Sequence, residues 1–553
     1  MLSLSTESEN EDSTDEPQCA SAGRAGVWMP IIGEDEGPNV LPFTVQPGPI
    51  QAPPDNARPI DYVKLFFDDC LVAKIVEETN RYADQWIAAH QVYLRNHPRS
   101  LVHIWIKQGR TTKEEMYAFL SVVINMGLNQ KPVQHSYWTT CYKSQITPWF
   151  GDHLSRDRYF LILKFLHFNN NENLPAIDHP NFKLFKVEPI ITDLANKFSK
   201  FYNPHMNISI DESMVGYKGK TPHLRQYMPN KHNARFGLKL WCLCDSSSAY
   251  TSVFEVFKGA AYIGDRQAEG LTYTLVMRLM EKAGLFNEGY HLGLDNYFTS
   301  PALLYDLYSA HVTATGTVRK SRKGLPKSVT AAKLANKSVV ERRRGNLLCV
   351  GYKDGSKQPI LLSTKAKSGY CTATNSKGKE KMVPKAIKLY NESMGGVDMS
   401  NARLYAYLCK RRTMKWTHKL FFALLGRSVL NAYIIYCENK PTFKCSSRYQ
   451  FTVLAVEGMM ANHKPLHMGI RKRRSKSEIN VARGLNGQEI TAPATDIQTV
   501  NTNCKLQKLA VGKKRNCVNK HNRRTRSAYM CPACDVGLCP QCFVDYHRDR
   551  ELL

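Results

Sequence analysis

The 553-residue chain has no uninterrupted run of the roughly eighteen apolar residues that a membrane-crossing helix needs. Its nearest approach, residues 420–436, is broken by Arg427 and Asn431, which argues against a membrane-spanning protein. It also lacks an N-terminal basic region followed by an apolar stretch, so no secretory signal is visible and an intracellular protein is expected. A repeating cysteine spacing is missing too. Eleven of the sixteen cysteines are scattered from Cys19 to Cys504, which gives no framework for disulfides. Acid is in short supply overall, with 48 Asp and Glu against 76 Lys and Arg and a formal net charge of +28. An excess of that size implies a polyanionic partner, nucleic acid first.

What is present divides the chain into segments. The first fifty-odd residues are poor in periodic apolar positions, begin acidic and Ser/Thr-rich, and end in Pro/Gly punctuation, as a disordered tail would. From Ile60 the apolar residues Tyr62, Leu65, Phe66, Leu71, Val72, Ile75 and Val76 recur at helical spacing, and further helices are expected over 114–126 and 156–168. Strand patterns then begin at Ile208, Arg235 and Tyr250, followed by a helix over 271–283 and a strand ending in Asp295. This order describes a mixed sheet with helices on its faces. A basic, irregular interval runs to about Lys385, with short strand-like pieces over 347–352 and 358–363. Helices return after Asp398, notably over 416–436, and a basic linker precedes a cysteine cluster.

Three aspartates carry the chemistry: Asp211 in NISIDESMVGYKGK, Asp295 in HLGLDNYFTS and Asp398 in MGGVDMSN. Alternating apolar residues before the first two (Ile208 and Ile210; Leu292 and Leu294) place each acid at the end of a half-buried strand. Asp398 follows two glycines and opens a stretch of helix formers, the position of an N-cap or first-turn acid. Carboxylates gathered at the ends of core elements are costly unless cations neutralise them. Hard oxygen ligands of this kind suit Mg²⁺ or Mn²⁺ and a two-metal phosphoryl-transfer site.

The other motifs concern binding. Cys517, His521, Cys531, Cys534, Cys539, Cys542 and His547 include two CxxC pairs, a specific sign of tetrahedral zinc, and so short a segment would need the metal to fold. Lys410, Arg411, Arg412 and Lys415 beside Trp416 pair cations with an aromatic, as a surface that grips phosphates and stacks on a base would. Arg319, Lys320, Arg322 and Lys323 form a second basic loop. Arg471, Lys472, Arg473, Arg474 and Lys476 read as a nuclear localisation signal.

DESMVGYKG, GLDNYFTS, TGTVRK, YNESMGGVD, KRRTMKW and CPACDVGLCPQCFVDYH, in this order and at these separations, together resemble a piggyBac-type transposase from about residue 60 to the end. The resemblance implies an α/β multidomain protein. Its RNase H-like mixed-sheet catalytic core would be split by an insertion domain and flanked by an α-helical dimerisation and DNA-binding domain, with a C-terminal zinc-binding domain that reads transposon ends. It implies a homodimer acting on double-stranded DNA by cut and paste at TTAA targets through hairpinned ends. Asp211, Asp295 and Asp398 would be the catalytic acids, and Trp416 would support the flipped or hairpinned end.

The domain plan that follows is a disordered tail over 1–57, a helical domain over 58–206 and 408–485, a catalytic domain over 207–321 and 386–407, an insertion over 322–385, a linker over 486–503 and a zinc domain over 504–553. Two departures stand out. Asn401 occupies the place where the family commonly carries a further aspartate, which removes one charge near the metals, and CVNKH stands where the zinc domain commonly opens with CxxC. A domesticated, nuclear DNA- or chromatin-binding descendant without cleavage activity is therefore the alternative to a working transposase.

Overall fold

The computed structural model describes residues 26–39, 41–219, 224–229, 235–259, 270–374, 378, 380–410, 413–440, 447–463, 506–509, 515–516, 526–532 and 535–538. The chain divides into two units, Met1–Leu466 and His467–Leu553.

The first unit opens with helices. They are α1 (Pro59–Lys64), α2 (Asp69–Ala89), α3 (Gln91–Asn96), α4 (Val102–Gln108), α5 (Lys113–Leu128), α6 (Pro148–His153), α7 (Arg156–Phe165) and α8 (Glu188–Lys200). The periodic stretch after Ile60 forms two helices rather than one. Asp68 accepts a hydrogen bond from the Leu71 amide at 2.8 Å and starts α2 afresh, while Phe66 and Phe67 in the break are fully buried. Thr112 caps α5 in the same way through the Glu115 amide. The expected tail is shorter than its sequence suggests. Strand β1 (Gly48–Pro49) pairs with β2 (Tyr202–Asn203), Met29 bridges to Arg343, and Asp35 forms a 2.6 Å ion pair with Arg343. Trp28, Phe43 and Val45 supply the apolar contacts that hold this segment down.

A nine-stranded mixed sheet forms the centre. Its strands are β3 (Asn207–Gly216), β4 (Arg225–Tyr227), β5 (Phe236–Asp245), β6 (Thr251–Val256), β7 (His291–Leu294), β8 (Thr313–Val318), β9 (Val339–Arg344), β10 (Leu347–Tyr352) and β11 (Ile360–Ser363). The spatial order is β4-β5-β3-β7-β8-β11-β10-β9, with β6 also on β5. The pairs β3–β7 and β7–β8 are parallel and the others antiparallel. Between strands lie α9 (Leu271–Ala283), which ends at a left-handed Gly284, then α10 (Pro301–Ser309) and α11 (Lys327–Thr330). Much of the interval expected as an insertion thus continues the main sheet, since β11 pairs directly with β8. The hairpin β12 (Tyr370–Thr374) with β13 (Glu380–Pro384) is a separate two-stranded sheet.

The chain then forms α12 (Lys385–Ser393), α13 (Gly396–Ala406), α14 (Trp416–Asn439) and α15 (Arg448–Met460). Alternation along β3 divides the sheet's faces. Ile208 and Ile210 join Leu292 and Leu294 in one core with α9 and α10, while Val215, Cys242 and Cys244 join the core of the helices. Helix α14 is apolar and long enough to cross a membrane by composition, but it is largely buried in this second core. In the second unit, short strands Gln507–Lys508, Tyr529–Cys531 and Val536–Gly537 pair in one small sheet.

Candidate active site

Parallel register sets the first two acids side by side. Ile210 of β3 pairs with Leu294 of β7, and Leu294 with Gly316 of β8. Asp211, Asp295 and Thr317 are therefore the residues that immediately follow this registered trio. Asp295 immediately follows its strand, as expected. Asp211 does not end its strand: β3 runs on with β5 to Gly216 after its parallel neighbour has stopped. Its side chain is 8 % exposed. Each acid accepts a hydrogen bond from the amide that follows it, Asp211 from Glu212 at 2.8 Å and Asp295 from Asn296.

Two glycines bring the third acid to these strands. A Cβ on Gly293 would stand 2.8 Å from the carbonyl carbon and oxygen of Ser393, and one on Gly396 would stand 2.8 Å from Ser209 Oγ and the Asp245 carbonyl. The junction of α12 and α13 can lie flat on β3 and β7 because neither residue has a side chain. Asp398 is then a first-turn acid of α13, where the helix dipole favours its charge. Tyr390 of α12 is near enough to all three acids to feel their charges. Burial raises its phenol pKa and a hydrogen bond with Thr317 lowers it; the charges of Asp295, Asp211 and Asp398 all raise it further.

As a donor set the three carboxylates suit a hard divalent cation. Their separations do not yet form a ligand shell: among the described residues, no group of three or more His, Cys, Asp or Glu side chains is close enough to hold a metal.

The basic candidates fall into three situations. Arg319 donates to the Asn296 side chain at 3.4 Å and lies over the Tyr297 ring, and Arg322 donates to the Asn296 and Tyr297 carbonyls. This loop, with exposed Lys320, is held against the residues following Asp295. Lys410 is exposed. Lys415 is exposed, but its ammonium donates to the Lys164 carbonyl at 3.0 Å, and desolvation with the nearby Lys186 lowers its pKa. Trp416 packs against the helical core, and with Lys415, Lys186, Tyr82 and His167 it lines a cavity of about 240 Å³. Arg411, Arg412 and the basic run from Arg471 to Lys476 lie outside the described residues, as do Cys517, His521, Cys534, Cys539, Cys542 and His547. Cys531 is buried.

Residues the motif reading did not single out complete the site. Tyr390 lies within the quoted YNESMGGVD. Arg427 was visible only as a charge interrupting an apolar run, which is also what a buried structural arginine looks like.

The comparisons agree with this architecture. The human "PiggyBac transposable element-derived protein 3" is 28 % identical over 92 % of this chain and 80 % of its own length. The human "PiggyBac transposable element-derived protein 2" is 26 % identical over 76 % of this chain and 68 % of its own length. A cryo-EM structure of the piggyBac transposase synaptic complex with hairpin DNA superposes with a TM-score of 0.64 at 21 % identity, covering 90 % of this chain and all of the other, so the two share a fold. The chain is thus homologous to the piggyBac transposable element-derived proteins. With the family described as Transposase IS4 matching residues 58–433, more than half its length, the chain belongs to that family.

Proposed function

We propose that this protein is a cut-and-paste DNA transposase of piggyBac type with an RNase H-like core, cleaving and joining phosphodiesters at TTAA targets. The observation that carries the reading is the parallel pairing of Ile210 with Leu294, the residues immediately before Asp211 and Asp295, with the α12–α13 junction that leads to Asp398 seated against Gly293. In this reading the three carboxylates hold Mg²⁺ or Mn²⁺, which when bound stabilises the attacking and leaving oxygens of an in-line displacement. The Arg319–Lys320 loop beside Asp295 binds the phosphates flanking the reacting one. Lys410, Arg411 and Arg412 extend that surface, and Trp416 opens a cavity suited to an unpaired base. The net charge of +28 supports double-stranded DNA, with the transposon's terminal repeats, as the partner. A homodimer, nuclear entry through Arg471–Lys476 and structural zinc held by the C-terminal cysteines and histidines complete the proposal.

A second reading, a DNA- or chromatin-binding descendant that no longer cuts, is favoured by one feature. Asn401 is bonded to Ser213 and Arg427 beside the acids and adds no charge to them. An excision assay in cells separates the two, using a reporter interrupted by the element's own ends. Scarless repair at TTAA with the parent chain, lost in Asp295→Asn, is the outcome expected of a transposase. End binding without excision would establish the second reading.

A further inference from the structure

Strand β9 ends in three consecutive arginines whose side chains are used differently. Arg342 donates to the Glu341 carbonyl at 2.8 Å, and Arg343 is committed to the Asp35 carboxylate at 2.6 Å and the Ala366 carbonyl at 3.1 Å. Arg344 is held by aromatic residues instead. Its Nε donates to the Tyr305 hydroxyl at 3.1 Å, and that hydroxyl donates to the Arg344 carbonyl at 2.6 Å. The guanidinium lies 4.8 Å from the centre of the Trp28 ring and 5.1 Å from that of Tyr305, and the Trp28 indole nitrogen is itself fixed on the Gly324 carbonyl at 2.9 Å. This leaves Arg344 in a set position, with no acid paired to it and its two terminal nitrogens without a hydrogen-bond partner among the described residues.

Arg344 lines a cavity of about 610 Å³ between the N-terminal segment, α10 and the β9–β10 turn, within the roughly 300–1,000 Å³ span of small-molecule sites. Asn39, Tyr305, Tyr308, His311 and Asn346 also line it, and among the described residues no Asp or Glu does. Tyr305 and Tyr308 are three residues apart on α10 and share one face of that helix. A pre-positioned guanidinium with uncommitted donors suits the oxygens of a phosphate, and tyrosine rings beside it suit a flat base. The cavity lies at the edge strand of the sheet, four strands across from β7, which leads to Asp295.

We propose that this cavity is a nucleotide-binding site, with the phosphate on Arg344 and the base against the tyrosines of α10. Two sources carry that chemistry, a free mononucleotide and the 5′-terminal nucleotide of a DNA strand. The site stands apart from the three aspartates and does not depend on the reading of them as catalytic.

The test is calorimetric titration of the full chain with AMP, with inorganic phosphate and with a 5′-phosphorylated trinucleotide, at about 0.15 M salt, where diffuse attraction to exposed cations is largely screened. Arg344→Gln removes the phosphate-binding charge. Ser309→Glu places a carboxylate on the cavity wall while keeping Arg344 and both tyrosines, and it covers the case in which Arg344→Gln does not fold. Saturable AMP binding, weakened at least about tenfold in both folded variants, is the expected result. Tighter binding of the trinucleotide with the same loss in the variants would support the proposal equally and assign the site to a strand end. Inorganic phosphate bound as tightly as AMP would overturn the nucleotide and leave a plain anion site. Equal affinity in parent and folded variants, or no binding of either nucleotide by the parent, would overturn the site itself.

Discussion

Gly293 lies against the carbonyl of Ser393, with room for a hydrogen and none for a methyl group: a Cβ there would stand 2.8 Å from the carbonyl oxygen. Gly293 precedes Asp295 by two residues, and Ser393 precedes Asp398 by five. This contact seats the segment leading to one acid against the strand leading to the other. Gly293→Val is expected to push the α12–α13 junction off the sheet at a cost of about 1–3 kcal/mol. Excision should fall at temperatures where urea melts show the chain still folded. Full excision by such a folded variant would show that Asp398 does not depend on this contact.

The two lysines flanking the KRRTMKW motif should behave differently towards DNA. Both lysines are exposed, and for Lys410 the substitution Lys410→Ala is expected to reduce the slope of log affinity against log salt by about one. Lys415 already donates its ammonium to the Lys164 carbonyl. Lys415→Ala should leave the slope nearly unchanged and lower the melting temperature instead. Fluorescence anisotropy with a terminal-repeat duplex at several salt concentrations decides between them.

That contrast shows what was legible in the sequence. Periodicity located α9 over Leu271–Ala283 and β10 over Leu347–Tyr352 to the residue, because each is a complete amphipathic or buried run between clear breaks. It placed Asp211 at a strand end, whereas β3 continues with β5; how far a strand outlasts its neighbour depends on pairing that one segment does not encode. The same limit made β9 to β11 look like an insertion although they extend the main sheet. Arg427 was opaque for another reason. Its hydrogen-bond partners are Ser213, Thr251, Ser400 and Asn401, four residues from three distant segments, and nothing in the helix's own pattern distinguishes a buried charge from a misplaced one.

The cysteine-rich segment is expected to depend on metal. With so little apolar sequence among the proposed ligands, zinc would have to supply most of the drive to fold. The full chain should carry about one or two equivalents of zinc by mass spectrometry. Chelation should abolish recognition of transposon ends while leaving the melting of the larger unit unchanged. Full end recognition by chelated, zinc-free protein would exclude a structural zinc domain.

Stability of the helical region should hinge on one buried ion pair. Arg158 grips both carboxylate oxygens of Glu115 at 2.7 Å, with side chains 3 % and 7 % exposed, and Thr111 donates to the same carboxylate. Removing one partner strands the other charge away from water, so Arg158→Met is expected to cost about 3–5 kcal/mol. Replacing both, as Arg158→Met with Glu115→Leu, should recover much of that loss. Equal losses in the single and double variants, measured by urea denaturation, would mean that packing rather than charge is what the site supplies.

The last expectation concerns pH and the joint between β2 and the sheet. Asp245 is fully buried, and its carboxylate accepts from the His205 ring at 2.7 Å and the His205 amide at 3.0 Å. Tyr202 donates to Glu438 at 2.7 Å and lies 3.2 Å from the same Asp245 oxygen. The Asp245 hydrogen bond raises the His205 pKa above its ordinary 6.5, although partial burial opposes it. The raised histidine stabilises the fold fully below about pH 6.5, and this contribution is lost as pH climbs through the folded-state value. Burial pulls the Asp245 pKa upward, but the bonds from His205 and the Ser247 amide outweigh it and leave the value below 3.8. Its contribution is present above that pH and disappears only in stronger acid. Burial raises the Glu438 pKa, so its ionisation also costs stability as pH rises from about 4.5. The urea midpoint should therefore decline from pH 6.5 toward pH 8, and His205→Gln should flatten that decline while leaving the acid limb in place. A decline of the same steepness in His205→Gln would assign it to another group.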